Sequence, residues 1–248
     1  MGMGAVVKSL SIVLPCFNEQ ESIPVMIPRL MNSLESLKSQ NLVQDYEVIV
    51  VDDSSTDQSV KLLKAYENLR IVHNEGLRGY GRALKKGFSK SDGDWICFLD
   101  MDNTYRPEDL SLFVTEIQNS GADFFIGTRA FSEKGMSLVR GLGNWIYMSL
   151  AFIIYGSKLS DVCSGYRIFH RRHLDEILDI PEEGLDFSIH LTLKMITKGV
   201  AIHQVPIGYD ERLGESKLSV FMDGWAFLMV ILNLKQRRLR ALKHSRVR

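Results

Sequence analysis

The chain has 248 residues, enough for one large domain with an extension, and its 30 Lys and Arg balance its 30 Asp and Glu. A hydrophobic fraction of 45% and a charged fraction of 24% are typical of a soluble globular protein with a substantial core. The two longest apolar runs, residues 145–155 and 225–232, are shorter than the roughly 20 apolar residues that cross a bilayer, which excludes a span at either run.

Strand-like and helix-like segments alternate along the chain. Short apolar runs predict buried strands at residues 11–14 (ended by Pro15), 47–51, 69–72, 95–99, 124–126, 166–169 and 201–207. Helical spacing predicts helices at residues 19–39, 79–89, 141–155, 187–197 and 220–242, a helix capped by Thr56 or Asp57, and one from Pro107 to Ile117. This alternation predicts an α/β fold with a mostly parallel sheet covered by helices on both faces.

We interpret residues 1–217 as one domain and residues 218–248 as an extension made of an amphipathic helix and a basic tail. No acidic residue follows Asp223, whereas the last fourteen residues are rich in Lys and Arg. A basic tail of this kind can meet nucleic acid, an anionic membrane surface or nothing at all, and for this chain we expect no nucleic-acid partner. Three scattered cysteines without C-x-x-C spacing, and no secretory signal, favour the cytoplasm.

Polar clusters follow the first, second and fourth predicted strands. They are Asn18-Glu19, Asp52-Asp53 and the pair Asp100 and Asp102. Ligands of open parallel sheets bind beyond the carboxyl ends of the strands, so the three clusters are expected to form one site.

The motif Asp100-Met101-Asp102 predicts a metal site. Two carboxylates this close repel each other unless a cation compensates them, and oxygen ligands suit Mg²⁺ or Mn²⁺ with open positions for a diphosphate. The alternative is a solvated turn before the helix at Pro107. Asp52 and Asp53 are either a polar turn with a helix cap or acceptors for a base or a ribose.

Further motifs in the same order carry a resemblance over nearly the whole chain. They are Pro15-Cys16-Phe17-Asn18-Glu19, Val51-Asp52-Asp53-Ser54-Ser55-Thr56-Asp57, Leu99-Asp100-Met101-Asp102, Ile126-Gly127-Thr128-Arg129, Ser164-Gly165-Tyr166-Arg167-Ile168-Phe169 and Arg212-Leu213-Gly214-Glu215-Ser216-Lys217-Leu218. The chain resembles the family-two glycosyltransferases with a GT-A fold, and more narrowly the dolichyl- or polyprenyl-phosphate hexosyltransferases.

The resemblance implies a role for each matched residue. Pro15, Asn18 and Glu19 contact the nucleoside, and Asp52 or Asp53 contacts the base or ribose. Asp100 and Asp102 hold the metal and the diphosphate, with Arg78 near them. Arg129, Ser164 and Arg167 line the acceptor-phosphate pocket. Arg212 and Lys217 close over the donor phosphate.

Two positions depart from the family pattern D-x-D-x-Q-x-P-P-E. Thr104 stands at the position of the Gln and Arg106 at the position of the first Pro. Thr104 is expected to replace the Gln as a metal ligand or as a hydrogen-bond partner. Integral-membrane relatives carry C-terminal spans, so this chain is expected to reach a lipid through an amphipathic helix, a basic tail or a membrane-protein partner.

The expected reaction moves mannose or glucose from a GDP- or UDP-sugar to a polyprenyl or dolichyl phosphate, with inversion at the anomeric carbon. A phosphate acceptor is already an anion and needs no general base. The alternatives are a hydroxyl acceptor, for which Asp186 is the candidate base unless it only caps a helix, and a nucleotide-sugar-binding subunit without turnover. The sequence does not choose the nucleobase or the hexose.

Overall fold

Seven strands, eight α-helices and two 3₁₀ helices (Pro107–Asp109 and Arg171–His173) lie in the residues that the computed structural model describes, which are 6–129, 138–156, 158–214 and 223–234. The strands are β1 (Val7–Cys16), β2 (Val43–Asp52), β3 (Arg70–His73), β4 (Trp95–Phe98), β5 (Phe124–Arg129), β6 (Arg167–His170) and β7 (Ile202–Ile207). The helices are α1 (Ile23–Ser39), α2 (Ser59–Leu63), α3 (Tyr80–Lys90), α4 (Leu110–Ser120), α5 (Leu138–Tyr155), α6 (Leu174–Leu178), α7 (Phe187–Thr197) and α8, residues 223–234. None of the helices in these ranges is long and apolar enough to cross a membrane.

The strands form one mixed sheet in the order β3-β2-β1-β4-β6-β5-β7. The pairs β1–β2, β1–β4, β2–β3 and β5–β7 are parallel, which confirms the predicted mostly parallel sheet. Strand β6 runs antiparallel to both of its neighbours, β4 and β5. Its first residue, Arg167, therefore pairs with Phe98 at the carboxyl end of β4, which brings residues 164–166 to the same edge.

Two apolar clusters cover the two faces of this sheet, because alternate residues of a strand point to opposite faces. Val48 and Val50 of β2 pack with α1 and α4, whereas Ile49 and Val51 pack with α3, α6 and α7. Burial on both faces explains why the strands read as continuous apolar runs.

A third apolar cluster joins α5, α7 and α8. Ala151 and Tyr155 of α5 pack with Phe227 and Ile231 of α8 and with the second apolar face of α7. The hydroxyl of Tyr155 also donates a hydrogen bond of 2.8 Å to the carbonyl oxygen of Ile231. Helix α8 is therefore bound to the rest of the protein by both apolar and polar contacts.

Several predicted boundaries are wrong by a few residues. Strand β1 continues through Pro15 to Cys16. Proline has no backbone N–H, but β4 pairs with β1 only as far as Val13, so no hydrogen bond to β4 is lost at Pro15. Helix α1 begins at Ile23 rather than at residue 19, with a proline in its first turn. The predicted boundary between residues 217 and 218 lies outside the described residues and stays a prediction.

Candidate functional site

A cavity of about 430 Å³ lies at the carboxyl ends of β1, β2 and β4. The loops that follow these strands form its wall together with the start of α3, and α5 and α8 form its far end. The polar clusters predicted from the sequence therefore meet at one edge of the sheet, as parallel strand order requires.

The backbone is strained in each of the three loops. Asn18 after β1, Ser54 after β2 and Asn103 after β4 have φ of 52°, 66° and 67°. Non-glycine residues rarely adopt positive φ, and such strain concentrates at functional sites. Asn18 shows how the loops hold each other, since its side-chain carbonyl accepts a hydrogen bond of 2.7 Å from the backbone N–H of Thr56.

Asp100 is half-buried just after β4, among groups that fix its orientation. The hydroxyl of Tyr80 donates a hydrogen bond of 2.8 Å to its Oδ1 atom. Gly165 lies so close that a Cβ atom there would stand 2.6 Å from Oδ2 of Asp100. Burial and the neighbouring charge of Asp102 raise the pKa of Asp100 to about 7.

Asp102 is almost completely buried, and both of its carboxylate oxygens are engaged. Thr104 donates to Oδ1 from its backbone N–H, at 3.0 Å, and from its hydroxyl. The guanidinium of Arg212 forms an ion pair with Oδ2. Of the two roles expected for Thr104, the structure shows a hydrogen-bond partner of Asp102, and Thr104 does not line the cavity.

Arg129 lines the cavity and is held from behind by Asp161. Its Nε and Nη2 atoms donate to the two oxygens of Asp161 at 2.6 and 2.9 Å. The side chain of Asp161 is fully buried and that of Arg129 is 13% exposed, so the pair is shielded from water. The guanidinium also stands 5.4 Å from the centre of the Tyr209 ring.

Another part of the wall combines an aromatic ring with charges of both signs. The guanidinium of Arg78 lies 4.0 Å from the centre of the Phe17 ring. Asp53 accepts hydrogen bonds from the side-chain amide of Asn74, at 2.6 Å, and from the backbone N–H of Gly79, at 2.9 Å. Glu19 and Pro15 also line this wall.

Some predicted site residues support the wall rather than line it. Asp52 accepts from the backbone N–H of Ser55 at 3.1 Å and lies 3.2 Å from Nδ1 of His73. Arg167 is fully buried and donates to the carbonyl oxygens of Ser164 and Val162 at 2.9 and 3.1 Å. The predicted site residues that do not line the cavity include Asn18, Asp52, Ser164 and Arg167.

Two further predictions have different outcomes. Asp186 occupies the N-cap position of α7 without a side-chain capping hydrogen bond, and it does not line the cavity, although Gly184 and Leu185 do. Lys217 lies outside the described residues.

Sequence reasoning missed the groups that position the charged residues. Tyr80, Tyr105, Asp161 and Tyr209 were not predicted, yet three of them line the cavity and Asp161 anchors Arg129. The only sequence signal for Asp161 was its position, three residues before Ser164 of the matched Ser-Gly-Tyr-Arg motif. Nothing in the sequence pattern marks the three tyrosines, because buried aromatic residues are common in any core.

The far end of the cavity is mainly apolar. It is lined by Tyr147 of α5, Leu185 before α7 and Phe227 of α8, with one carboxylate, that of Asp223, at the start of α8. The rings of Tyr147 and Phe227 contact each other with centroids 5.5 Å apart. The cavity therefore changes from a charged end at the strand edge to an apolar end between helices.

The donor set at the charged end fits a hard divalent cation. Asp100, which is half-buried, and Asp102, which is buried, supply carboxylate oxygens, the ligands that Mg²⁺ and Mn²⁺ prefer. The described residues contain no cluster of three or more His, Cys, Asp or Glu residues that could hold an ion alone. A cation here therefore requires further oxygen ligands from a bound molecule or from water.

Comparison with known proteins places these features in a family. Residues 11–178 match the family model of Glycosyl transferase family 2. The chain is 32% identical over 228 residues to the low-salt glycan biosynthesis hexosyltransferase Agl6 of Haloferax volcanii, which covers 90% of this chain and 53% of that protein. The chain thus spans about half the length of this relative.

A second relative matches over almost its whole length. The undecaprenyl-phosphate mannosyltransferase of Micrococcus luteus is 30% identical over 231 residues, covering 88% of this chain and 90% of that protein. Among solved structures, glucosyl-3-phosphoglycerate synthase from Mycobacterium tuberculosis, in complex with Mn²⁺, UDP and glucosyl-3-phosphoglycerate, has a TM-score of 0.68 at 24% identity. This match covers 93% of this chain and 80% of that chain, and it confirms the predicted GT-A fold.

The Arg129–Asp161 pair predicts a large loss of stability when its carboxylate is removed. Asp161→Asn is expected to lower the free energy of unfolding by about 3 kcal/mol, because it leaves a buried guanidinium without its counter-charge. Urea unfolding measures this loss. The matched control is Asp123→Asn, whose partner Arg172 is 56% exposed and whose loss is expected to stay below about 1 kcal/mol. Equal losses in the two variants would contradict the prediction.

The raised pKa of Asp100 predicts a pH-dependent gain in stability for Asp100→Asn. The pKa of this acid rises from 3.8 to about 7 on folding, so its ionisation destabilises the metal-free fold progressively from about pH 4 to pH 7. The stability of Asp100→Asn relative to wild type is therefore expected to be greater at pH 8 than at pH 5. Urea unfolding in a chelator at both pH values tests this. A difference that does not change with pH would refute it.

Proposed function

Because the chain belongs to glycosyl transferase family 2, we propose that it transfers one hexose from a nucleoside-diphosphate sugar to a polyprenyl phosphate. One observation carries the proposal: a single cavity extends from the carboxylate pair Asp100 and Asp102, past Arg129, to a mainly apolar end between two helices. The name of the Micrococcus luteus relative, which matches over 90% of its length, supports the same acceptor class.

The donor occupies the charged end in this proposal. Asp53 and Glu19 accept hydrogen bonds from the nucleoside, and Phe17 and Arg78 form the adjoining wall. Asp100 and Asp102 hold Mg²⁺ or Mn²⁺ against the diphosphate. A bound divalent cation offsets the negative charge that develops on the leaving nucleoside diphosphate.

The acceptor phosphate lies near Arg129 in this proposal, with its lipid chain toward the apolar end. An acceptor oxygen attacks the anomeric carbon as the bond to the diphosphate breaks, which inverts the configuration. The acceptor is already ionised, so the protein has to orient it and neutralise its charge rather than remove a proton. Arg167 then acts indirectly, by holding the carbonyl groups of Val162 and Ser164 in place.

A surface beside the apolar end supports contact with a lipid bilayer. Helix α5 exposes Trp145, Ile146, Phe152 and Ile153, whose spacing places them along one side of the helix, and α8 exposes Trp225, Met229 and Leu232 with the same kind of spacing. We call these seven side chains the apolar surface. In the third cluster, both helices bury an apolar face that does not include these seven side chains, so the apolar surface is not part of the core.

The sequence beyond α8 adds positive charge that favours anionic lipids. It contains Lys235, Arg237, Arg238, Arg240, Lys243, Arg246 and Arg248. Apolar side chains that enter the headgroup region and nearby basic residues together bind anionic membranes. The three cysteines are free thiols, which supports the cytoplasmic face as the site of action.

The transfer proposal predicts metal-dependent labelling of a lipid phosphate. Labelled GDP-mannose or UDP-glucose is incubated with the protein, Mg²⁺ or Mn²⁺ and a short polyprenyl phosphate, and label in the organic phase is counted. Asp102→Ala is expected to reduce the rate on the order of 100-fold or more, because the cation loses a ligand and the diphosphate loses its compensation. Asp92→Ala, which removes an 88% exposed carboxylate elsewhere, serves as the control.

The same assay separates the alternatives. The matching polyprenol, which carries a hydroxyl in place of the phosphate, is expected to receive no label. Labelling of the alcohol instead of the phosphate would favour the hydroxyl acceptor, and nucleotide-sugar binding without transfer of any label would favour a binding subunit.

The apolar surface predicts binding to anionic vesicles. Ile153→Ser combined with Trp225→Ser is expected to weaken binding to phosphatidylglycerol-containing vesicles by at least about tenfold, because two large side chains lose their burial in lipid. Truncation after Leu234 is expected to weaken it as well. The control is Leu112→Ser, which removes a 43% exposed residue from α4. Unchanged sedimentation of the double variant with vesicles would disprove the role of the surface.

A further inference from the structure

Residues 209–213 form a short strap that lies along the loop after β4. Tyr209 forms an antiparallel bridge with Tyr105. The backbone N–H of Asp210 donates to the carbonyl oxygen of Thr104 at 2.8 Å, and that of Leu213 donates to the carbonyl oxygen of Asp102 at 3.0 Å. The strap therefore fixes the backbone from which Arg212 reaches the acidic pair.

Both carboxylate oxygens of Asp102 are engaged by this arrangement. Thr104 occupies Oδ1 and Arg212 occupies Oδ2, while the side chain is only 3% exposed. A divalent cation at Asp102 requires one of these oxygens at about 2.0–2.2 Å, the ordinary length of a Mg²⁺–oxygen bond. A guanidinium on the same oxygen blocks that position and also repels the cation.

We propose that Arg212 is an internal counter-cation that keeps Asp102 from binding a divalent metal until a nucleoside diphosphate is present. This inference rests on the metal and donor sites of the proposed function. The diphosphate supplies oxygen ligands to the metal and, at the same time, a second anionic partner for Arg212. Metal and nucleotide consequently bind together, each more tightly in the presence of the other.

The remaining contacts of the strap let Arg212 exchange partners without loss of the local fold. Asp210 accepts hydrogen bonds from Nε and Nη2 of Arg106 at 2.8 and 2.6 Å, and it lies 3.5 Å from Nη2 of Arg29. These pairs anchor the strap next to Arg212 but do not involve Asp102. The side chain of Arg212 is 24% exposed and lines the cavity, so a ligand in the cavity can reach it.

The test measures Mn²⁺ binding, not catalysis. Free Mn²⁺ is quantified by its electron paramagnetic resonance signal at fixed ionic strength, with the full chain and without sugar or lipid. Arg212→Gln is expected to bind Mn²⁺ alone about tenfold more tightly than wild type, because Oδ2 of Asp102 becomes available. Arg172→Gln, which removes a 56% exposed guanidinium that does not line the cavity, is expected to change this affinity less than about twofold.

Addition of UDP or GDP provides the second measurement. Nucleoside diphosphate is expected to raise the Mn²⁺ affinity of wild type by a factor about ten times larger than that of Arg212→Gln, because only wild type has a guanidinium to displace. Arg212→Lys, which keeps a positive charge at this position, is expected to retain most of the wild-type coupling. Thermal unfolding curves confirm that each variant is folded before it is compared.

Two results overturn the inference. One is equal Mn²⁺ affinity of folded Arg212→Gln and wild type without nucleotide, and the other is equal coupling between Mn²⁺ and nucleotide in the two proteins. Both are independent of lipid labelling. The transfer proposal can therefore fail even if Arg212 controls metal binding. Equally, transfer can occur even if Arg212 has no effect on metal binding.

Discussion

The closeness of two carboxylates after one strand is the constraint on which the site depends. Asp102 is buried and Asp100 is half-buried, and the two lie close enough to disfavour each other's charge. The neighbouring groups stabilise or accommodate the two carboxylates in different ways. The Tyr80 hydroxyl and the Thr104 hydroxyl donate hydrogen bonds, Arg212 supplies a positive charge, and Gly165 leaves space where any side chain would collide with Asp100. The charges of the acidic pair are therefore compensated by groups of the protein itself.

The antiparallel strand β6 is what brings these groups together. A parallel strand would begin at the opposite edge of the sheet, whereas β6 begins beside the carboxyl end of β4. Gly165 consequently lies against Asp100, and its backbone N–H donates a hydrogen bond of 2.7 Å to the Tyr105 hydroxyl. Arg167, the first residue of β6, donates hydrogen bonds to two carbonyl oxygens in the turn before this strand. One reversal of strand direction thus assembles the acidic motif and the Ser-Gly-Tyr-Arg motif, which are more than sixty residues apart in sequence.

The sequence predicted the parts of the fold that depend on local pattern. Apolar runs identified the seven strands of the described residues, and the clusters at Glu19, Asp53 and Asp100 identified the edge where the cavity lies. It did not predict the direction of β6, because the run Tyr166–Phe169 has the same pattern in either direction. It also did not show which of the two adjacent aspartates faces the cavity. In the structure Asp53 lines the cavity, whereas Asp52 contacts His73 and Ser55, because adjacent residues of an extended chain point to opposite sides. Short helix α6 was missed because five residues carry too little periodicity.

The charge of the cavity explains why a cation is needed for the proposed reaction. Its described lining carries five carboxylates, on Glu19, Asp53, Asp100, Asp102 and Asp223, but only three guanidinium groups, on Arg78, Arg129 and Arg212. Two of the three are already paired with Asp161 and Asp102. Even with Asp100 protonated, this lining repels a donor diphosphate and an acceptor phosphate. A divalent cation that binds together with the donor diphosphate reverses that balance, and the diphosphate gives Arg212 a new anionic partner. The joint binding of metal and nucleotide therefore converts a site that repels anions into one that can also hold the acceptor phosphate.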